Sequence, residues 1–391
     1  MQVQLALSKP VPTGLSEELI KKSVYCSPHL KALSISADGA TAVLTIDRED
    51  QAAAVSDKVS RFIGVTIKGY RKFDRKVVFQ NDIAPVYFAN AWEELLRRNW
   101  AYDSGFGQVA LAGTGFDLFR YFEDVFVRMA EEAFRARHYR FPTLIPAEIL
   151  GRCSYFSSFP HAITFATHLH GDYDVLDQFS TANKEGPLTF PRLDALEAPQ
   201  YCLTPVVCYH CYRTLQGQHL TPEELRVFTA VGSCFRYESH NTTTLERLWD
   251  FTLREIVFVG SREAVKERRQ VCMDLVAEWL KRIGLRVTFE TASDPFFTSD
   301  FSERTYFQLV SDLKYEMRVN VSPERTIAAG SFNLHNDFFG KTFDIHSGNG
   351  AAFSSCIGFG VERFVYAFVC QKGFDPAGWP EEVQRFVKDP S

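Results

Sequence analysis

Several things this chain lacks narrow its possibilities before any motif is read. Among its 391 residues there is no apolar run of about 18, the length a membrane-crossing helix needs. The first ten residues, MQVQLALSKP, reach Lys9 without an apolar stretch of signal-peptide length. No membrane span is expected, and a cytoplasmic location is. The nine cysteines (26, 153, 202, 208, 211, 234, 272, 356 and 370) are odd in number and lack the dense, regular spacing of a disulfide scaffold. Thiols or metal ligands in a reducing compartment fit them better than bridges. Internal repeats and low-complexity segments are missing, so the chain is not a repeat array. Charge is scarce: 43 Lys+Arg stand against 48 Asp+Glu, a net -5, and only 23% of residues are charged. What is abundant is apolar material, 46% of the chain with 35 Phe, enough for a large aromatic core and incompatible with a disordered, collagenous or coiled-coil protein.

The charge is unevenly spread. Residues 1–80 hold 12 Lys/Arg and 8 Asp/Glu, net +4, which leaves -9 for the remaining 311. This places a boundary near residue 85, with a small α/β unit over 1–85 and a larger domain over 86–391. In the first unit Val3–Leu7 and Val43–Ile46 read as strands, Ser16–Val24 and Gln51–Phe62 as helices, and Val77–Phe79 as the closing strand. The basic run Lys68, Arg71, Lys72, Arg75, Lys76 suits either a solvated edge or a docking patch for an acidic partner. In the second unit Leu118, Phe119, Phe122, Val125, Phe126, Met129, Ala133 and Phe134 form the broad stripe of a helix lying on a sheet. A second helix is predicted over Arg262–Ile283, stopped by Gly284. Strands are predicted at Phe228–Tyr237, Asp250–Val259, Arg286–Glu290, Leu309–Val321 and Thr326–Leu334. Long helices followed by consecutive strands indicate an α+β domain on an antiparallel sheet.

Two stretches could carry chemistry. Phe235-Arg236-Tyr237-Glu238, a polar loop through Thr242, Thr243 and Thr244, and then Leu245–Glu255 read as a hairpin. Alternation would set Arg236 and Glu238 on one face, with Phe251, Leu253 and Glu255 on one face of the return strand. Such a mixture suits a polar cleft, and it equally suits surface ion pairs on a solvent-facing sheet. Near the C-terminus Cys356-Ile-Gly358-Phe-Gly360-Val-Glu362-Arg363 precedes an apolar helix. Glycines allow close backbone approach and an arginine at a helix start can meet phosphate. This Gly-x-Gly lacks the further glycine of a dinucleotide fold, and a tight strand-to-helix junction explains it as well. Cys208-Tyr-His210-Cys211 is a C-x-x-C, yet no second ligand pair follows at zinc-finger spacing, and a helix-opening redox context is not evident. Cys211 and His210 are read mainly as packed side chains, and His168, His170 and His335 as structural histidines.

In this order the two stretches resemble motifs 2 and 3 of the class II aminoacyl-tRNA synthetases. The likeness narrows to the methanogen-type seryl-tRNA synthetase core and the amino acid:[carrier protein] ligases through Thr204-Pro-Val-Val-Cys208-Tyr, Arg254-Glu255, Ala292-Ser-Asp294-Pro-Phe-Phe297, Leu313-Lys314-Tyr-Glu316, Ser331-Phe-Asn333-Leu-His335 and Cys356. The resemblance covers roughly 93–375 and implies a class II antiparallel sheet flanked by helices. It implies formation of an aminoacyl-adenylate from ATP, followed by transfer to an acceptor. By the resemblance, Arg236 holds the α-phosphate and carboxylate and Arg363 the γ-phosphate. Phe251 stacks on adenine, Glu238 reads its edge, Arg247 reaches the phosphates and Glu316 holds Mg²⁺. Cys208, Glu255 and Cys356 bind Zn²⁺, with the substrate amine at the open position. Asp294, Lys314, Ser331 and Asn333 surround the amino acid. Asp294 precedes Pro295, so a turn residue is the alternative.

The favoured acceptor is the phosphopantetheine thiol of an acidic carrier protein, because net -5 gives little support for the many phosphate contacts of tRNA. Charging of tRNA, acylation of a small biosynthetic metabolite and a catalytically inactive binding subunit are the alternatives. A homodimer through residues 117–145 is expected by the same resemblance.

Overall fold

Alternating apolar residues build one large sheet, and the alternation decides which chemistry faces which layer. The computed structural model describes residues 1–70, 75–239, 242, 244–294 and 301–388. The N-terminal module contains β1 (Gln2–Ala6), α1 (Thr13–Ser23), β2 (Leu30–Ile35), β3 (Thr41–Ile46) and α2 (Ala52–Gly69). Its antiparallel sheet has the order β1-β3-β2. Leu15, Leu19, Leu33, Leu44, Val55, Val59 and Ile63 form a core of its own. Strand β2 was not anticipated, because Leu30-Lys-Ala-Leu-Ser-Ile gives a weak alternation. Val77–Phe79, expected to close this module, instead belongs to β4 (Val77–Gln80), which pairs with the main sheet through Phe79↔Phe289. The two rings lie 5.0 Å apart, so an apolar partner outside the module captures the strand.

Among the described residues the main sheet has eight strands: β4, β5 (Arg137–Tyr139), β6 (Arg226–Phe235), β7 (Asp250–Gly260), β8 (Val287–Thr291), β9 (Lys314–Asn320), β10 (Thr326–Asn336) and β11 (Phe353–Gly360). Their spatial order is β4-β8-β9-β10-β11-β7-β6-β5. Every neighbour is antiparallel except β5, which joins β6 in parallel. This is the expected α+β arrangement. The predicted strand Leu309–Val321 is shorter than expected. Leu309 and Val310 finish a helix over Phe301–Val310, and Asp312 at φ 51° breaks the chain before Lys314 opens β9.

One face of the sheet is covered by α3 (Gly113–Phe134), α5 (Arg262–Arg282) and α7 (Val361–Lys372); the short helices α4 (Cys208–Thr214) and α6 (Phe301–Val310) complete the set used below. Helix α3 buries Leu118, Tyr121, Phe122, Val125, Phe126, Ala130 and Phe134. Ala133, counted in the stripe from sequence, is exposed, because the helix turns Ala130 to the sheet instead. Phe126 stacks on Phe359 of β11 at 4.0 Å and 9°. Burying one such ring contributes about 1.5–3 kcal/mol.

The helix face also holds an ion pair. Arg254 of β7 is buried and bonds Glu123 of α3, while its Nη1 donates to Thr229 Oγ1 at 3.2 Å. The Thr229 hydroxyl in turn donates to the carbonyl of Glu255 at 3.1 Å. Glu123→Ala would leave a guanidinium buried and unpaired. Because the Glu123 side chain is 25% exposed, the expected loss is about 2–4 kcal/mol, below the ~3–5 of a fully buried pair. Urea titration of the variant checks this, and the Glu123→Leu/Arg254→Met pair should recover most of the loss.

Candidate active site

The opposite face collects what alternation removes from the core. Phe251 and Glu255 on β7, Lys314, Glu316 and Arg318 on β9, Ser331, Asn333 and His335 on β10, and Cys356, Gly358 and Gly360 on β11 all alternate with residues packed under the helices. Cys356 opposes Val257, and Gly358 opposes Glu255, so thiol and carboxylate are diagonal neighbours. Cys208 arrives from the start of α4, and its backbone N–H donates to Glu255 Oε2 at 2.5 Å. Ligand atoms of Cys208, Glu255 and Cys356 lie within 4.8 Å of one another, and all three residues are buried. A Cβ on Gly358 would meet Glu255 Oε1 at 3.6 Å, an ordinary contact.

Electrostatically this cluster is uncomfortable as it stands. Burial, followed by the Cys356 thiol, pushes the Glu255 carboxyl well up, and burial does the same to the Cys208 thiol. Cys356 carries charge more readily, because Cys208 donates to it and His335 lies alongside with Nε2 at 3.6 Å. Asn333 Nδ2 approaches the same sulfur at 3.5 Å and the Ser331 hydroxyl at 3.0 Å. Two soft sulfurs and a carboxylate, buried together, are a donor set that suits Zn²⁺.

Arg236 follows the end of β6. Its Nε donates to Pro205 O at 2.9 Å and its guanidinium lies 5.3 Å from the Phe251 ring centroid. Glu238 and Arg247 pair with each other across the hairpin. Arg363, in the first turn of α7, donates from Nε to Glu246 O at 2.7 Å and from Nη1 to Ala328 O at 2.8 Å. Glu316 is flanked by Arg318 at 3.2 Å and Lys314 at 3.8 Å. Such a single carboxylate could hold Mg²⁺ together with phosphate oxygens. Asp294 is more than a turn residue: it accepts from Lys314 Nζ at 2.6 Å and from Gln308 Nε2 at 2.8 Å. Burial alone would raise its carboxyl, but the Lys314 ammonium outweighs that and holds it down. Thr243, Pro295, Phe296 and Phe297, together with Arg71 and Lys72 of the basic run, lie outside the described residues.

Some contributors were not singled out from sequence. Tyr155 and Tyr209 pack 6.2 Å apart beside the cysteines, and burial pushes both phenols up. Tyr212 meets His335 Nδ1 through its hydroxyl at 3.2 Å. His335, read from sequence as a structural histidine, shares the alternation of Ser331 and Asn333 and comes to lie against Cys356. Cys211 and His210 stay apart from the cluster; His210 stacks on Phe141 at 5.2 Å. The C-x-x-C does open a helix, contrary to expectation, but burial raises both thiols, the opposite of a reactive redox pair. His168 and His170 bond Leu169 O and Glu197 at the surface.

Glu362 lies beside Arg363, and both its oxygens accept the Thr252 N–H, at 2.9 and 3.0 Å. Burial raises its carboxyl to about 7 from 4.5. The folded protein therefore keeps a proton that the unfolded chain releases. The resulting stability is full below about 4.5 and lost as pH rises through about 7. In Glu362→Gln this component should vanish, which urea titrations of variant and wild type across that range would reveal as a flat difference above the window and a slope within it.

Comparison with known proteins resolves the family. Residues 193–372 match the tRNA synthetase class II core domain (G, H, P, S and T). An amino acid–[acyl-carrier-protein] ligase 2 of Bradyrhizobium diazoefficiens is 31% identical over 271 residues, 67% of this chain and 79% of that protein. The chain belongs to the class II aminoacyl-tRNA synthetase family. As a class II enzyme it is an ATP-dependent amino acid ligase. A type-2 serine–tRNA ligase of Methanothermobacter thermautotrophicus is 26% identical over 305 residues, 76% of this chain and 59% of that protein. In structure, M. kandleri SerRS, solved with A. aeolicus tRNASec, superposes with a TM-score of 0.73 at 23% identity, over 99% of this chain and 77% of that one. The span matched to the class II core contains every candidate site residue from Cys208 to Arg363, and it leaves the N-terminal module and α3 outside. No described helix is long and apolar enough to cross a membrane.

Proposed function

We propose that this ligase activates a small amino acid as its adenylate and passes the aminoacyl group to the phosphopantetheine thiol of a carrier protein. The observation that carries the reading is the buried Cys208–Glu255–Cys356 cluster on the sheet face that also holds Phe251, Glu316 and Asn333, with Arg363 at the start of α7 within reach of the charges of Arg236 and Glu316. Cys208, Glu255 and Cys356 would hold Zn²⁺, which supplies a Lewis-acid position selective for the substrate α-amine, and Glu316 would hold Mg²⁺ against phosphate oxygens. Arg236, braced by Pro205 O and Phe251, keeps its Nη groups for the α-phosphate and the attacking carboxylate. Neutralising both anions lets the carboxylate oxygen displace pyrophosphate, and no protein nucleophile is needed. Phe251 offers its ring to adenine, Glu238 its carboxylate to the base edge, and Arg247 and Arg363 their charge to the outer phosphates. Lys314, fixed by Asp294, and Asn333 with Ser331 line the amino-acid side.

The carrier reading is supported by the Bradyrhizobium ligase, while the net charge of -5 gives little support for the many phosphate contacts of tRNA. The basic run lends it less than the sequence suggested: Arg75 pairs with Glu290 at 2.8 Å and Lys76 lies 3.5 Å from Asp312. The similarity to type-2 serine–tRNA ligases supports tRNA as the second acceptor. The test is amino-acid-dependent pyrophosphate exchange over the twenty amino acids, with and without a zinc chelator, followed by mass measurement of carrier protein and tRNA after reaction. Exchange with small amino acids, lost on chelation, and a mass gain on the carrier alone are expected. Charging of tRNA alone would transfer the reading to the second acceptor.

A homodimer belongs to the same proposal. The three-residue β5 leaves its outer edge unpaired among the described strands. A cavity of about 510 Å³ opens beside it, bounded by Arg135, Arg137, Tyr139, Arg226 and Phe228. Light scattering should return twice the 44.5 kDa of one chain.

A further inference from the structure

We propose that the N-terminal module forms part of the nucleotide site, with Tyr25 as the positioning residue through which it sets Glu238. The inference rests on the nucleotide reading of Arg236, Glu238 and Phe251 given above. The module meets the catalytic face at separate places. Its tether is anchored at the sheet edge by Arg75 on Glu290 and by the Lys76 N–H on Thr291 Oγ1 at 2.9 Å. Helix α2 packs against α6. Beyond the end of α1, the ring of Tyr25 lies on His161, centroids 4.6 Å apart and planes at 56°.

This last contact leads to the hairpin. His161 precedes Ala162, whose carbonyl accepts the Tyr237 N–H at 3.2 Å, one residue before Glu238. The phenol of Tyr25 is raised first by burial and then by the negative charge of Glu238, with Arg247 opposing, so both hairpin charges act on it. Lys22, a turn earlier on α1, is buried against Glu18 at 2.8 Å. Burial holds His161 down at about 4 against the opposing charge of Glu238, and the Lys22 ammonium adds to burial, so the ring stays neutral. A contact needed only to hold two domains together is satisfied by apolar groups. Here a tyrosine and a neutral histidine are instead desolvated where the charge of Glu238, the carboxylate assigned to the adenine edge, reaches both of them. Such polar groups restrict where that carboxylate can sit. The consequence is selectivity between bases, because a displaced Glu238 loses its adenine contact and gains none with guanine.

The test uses the full chain and three variants: Tyr25→Ala, Tyr25→Phe, and Lys31→Ala as a control on β2, where Lys31 is exposed and paired with Asp47. ATP and GTP affinities are measured by calorimetry, and KM for ATP and for the amino acid by exchange. Tyr25→Ala is expected to weaken ATP about tenfold, to leave GTP unchanged and to move the amino-acid KM less than about twofold. Tyr25→Phe keeps the ring on His161 and should lose about threefold through the hydroxyl. Lys31→Ala should match wild type. If Tyr25→Ala does not fold, Tyr25→Phe decides. Wild-type ATP affinity and ATP/GTP ratio in the folded Tyr25 variants would overturn the proposal, as would equal losses for ATP, GTP and amino acid. A wild-type protein that binds no ATP would overturn the adenylation reading itself.

Discussion

Arg236→Ala is expected to abolish amino-acid-dependent pyrophosphate exchange, with a loss of at least about 10³-fold in kcat/KM. The guanidinium is half-buried, and its direction is set at two points, Nε on Pro205 O and the flat face over Phe251. On the proposed reading, both braces would leave the Nη groups for the charge that develops on the α-phosphate, where a preorganised donor is worth most. Arg236→Lys should recover less than about a tenth of the activity, because an ammonium can neither stack on the ring nor bridge phosphate and carboxylate with a planar fork. Thermal melting separates this from misfolding, and calorimetric ATP binding shows whether ground-state affinity falls with it. Full exchange by folded Arg236→Ala would remove the arginine from the mechanism.

Cys356→Ser is expected to lose both metal and activity. Zinc measured by mass spectrometry on purified protein should fall from about one per chain to below about 0.1, since a neutral hydroxyl replaces a thiolate donor. Cys208→Ser should behave alike. Cys211→Ser should keep its metal, because Cys211 is buried nearby but lies outside the group formed by Cys208, Glu255 and Cys356. The metal assay reads the site without reference to turnover. Full zinc content in both Cys208→Ser and Cys356→Ser would leave these residues with a packing role only.

The long elements of the fold were legible because each carries its own period. The stripe of α3, the Gly284 stop after α5 and the alternation of β6, β7 and β10 all sit in single windows of sequence. The failures have local causes. Leu309 and Val310 are as suitable for a helix as for a strand, and Val77–Phe79 gives no hint that its partner is Phe289, more than 200 residues away. The site divides in the same way. Arg236, Glu238 and Phe251 form a pattern within one hairpin, but Cys208, Glu255 and Cys356 have no spacing in common, and only the resemblance singled them out. Their proximity depends on the β7–β11 register and on α4 arriving from outside the sheet. Tyr155 and Tyr209 were passed over, and His335 was read as structural, because a tyrosine or histidine beside an apolar run is usually core.

The adjacent pair Arg254 and Glu255 gives β7 a safeguard that apolar alternation cannot. Arg254 is bound to Glu123 beneath the sheet, and Glu255 receives the Cys208 N–H above it. Slipping the strand by one residue would bring a guanidinium among the two cysteines and set a carboxylate against Glu123. Most central strands resist slippage because a misplaced apolar side chain meets water. Here the error would set like charges against each other on one side and drive a cation into the site on the other, so the register that pairs β7 correctly is the one that assembles the cluster.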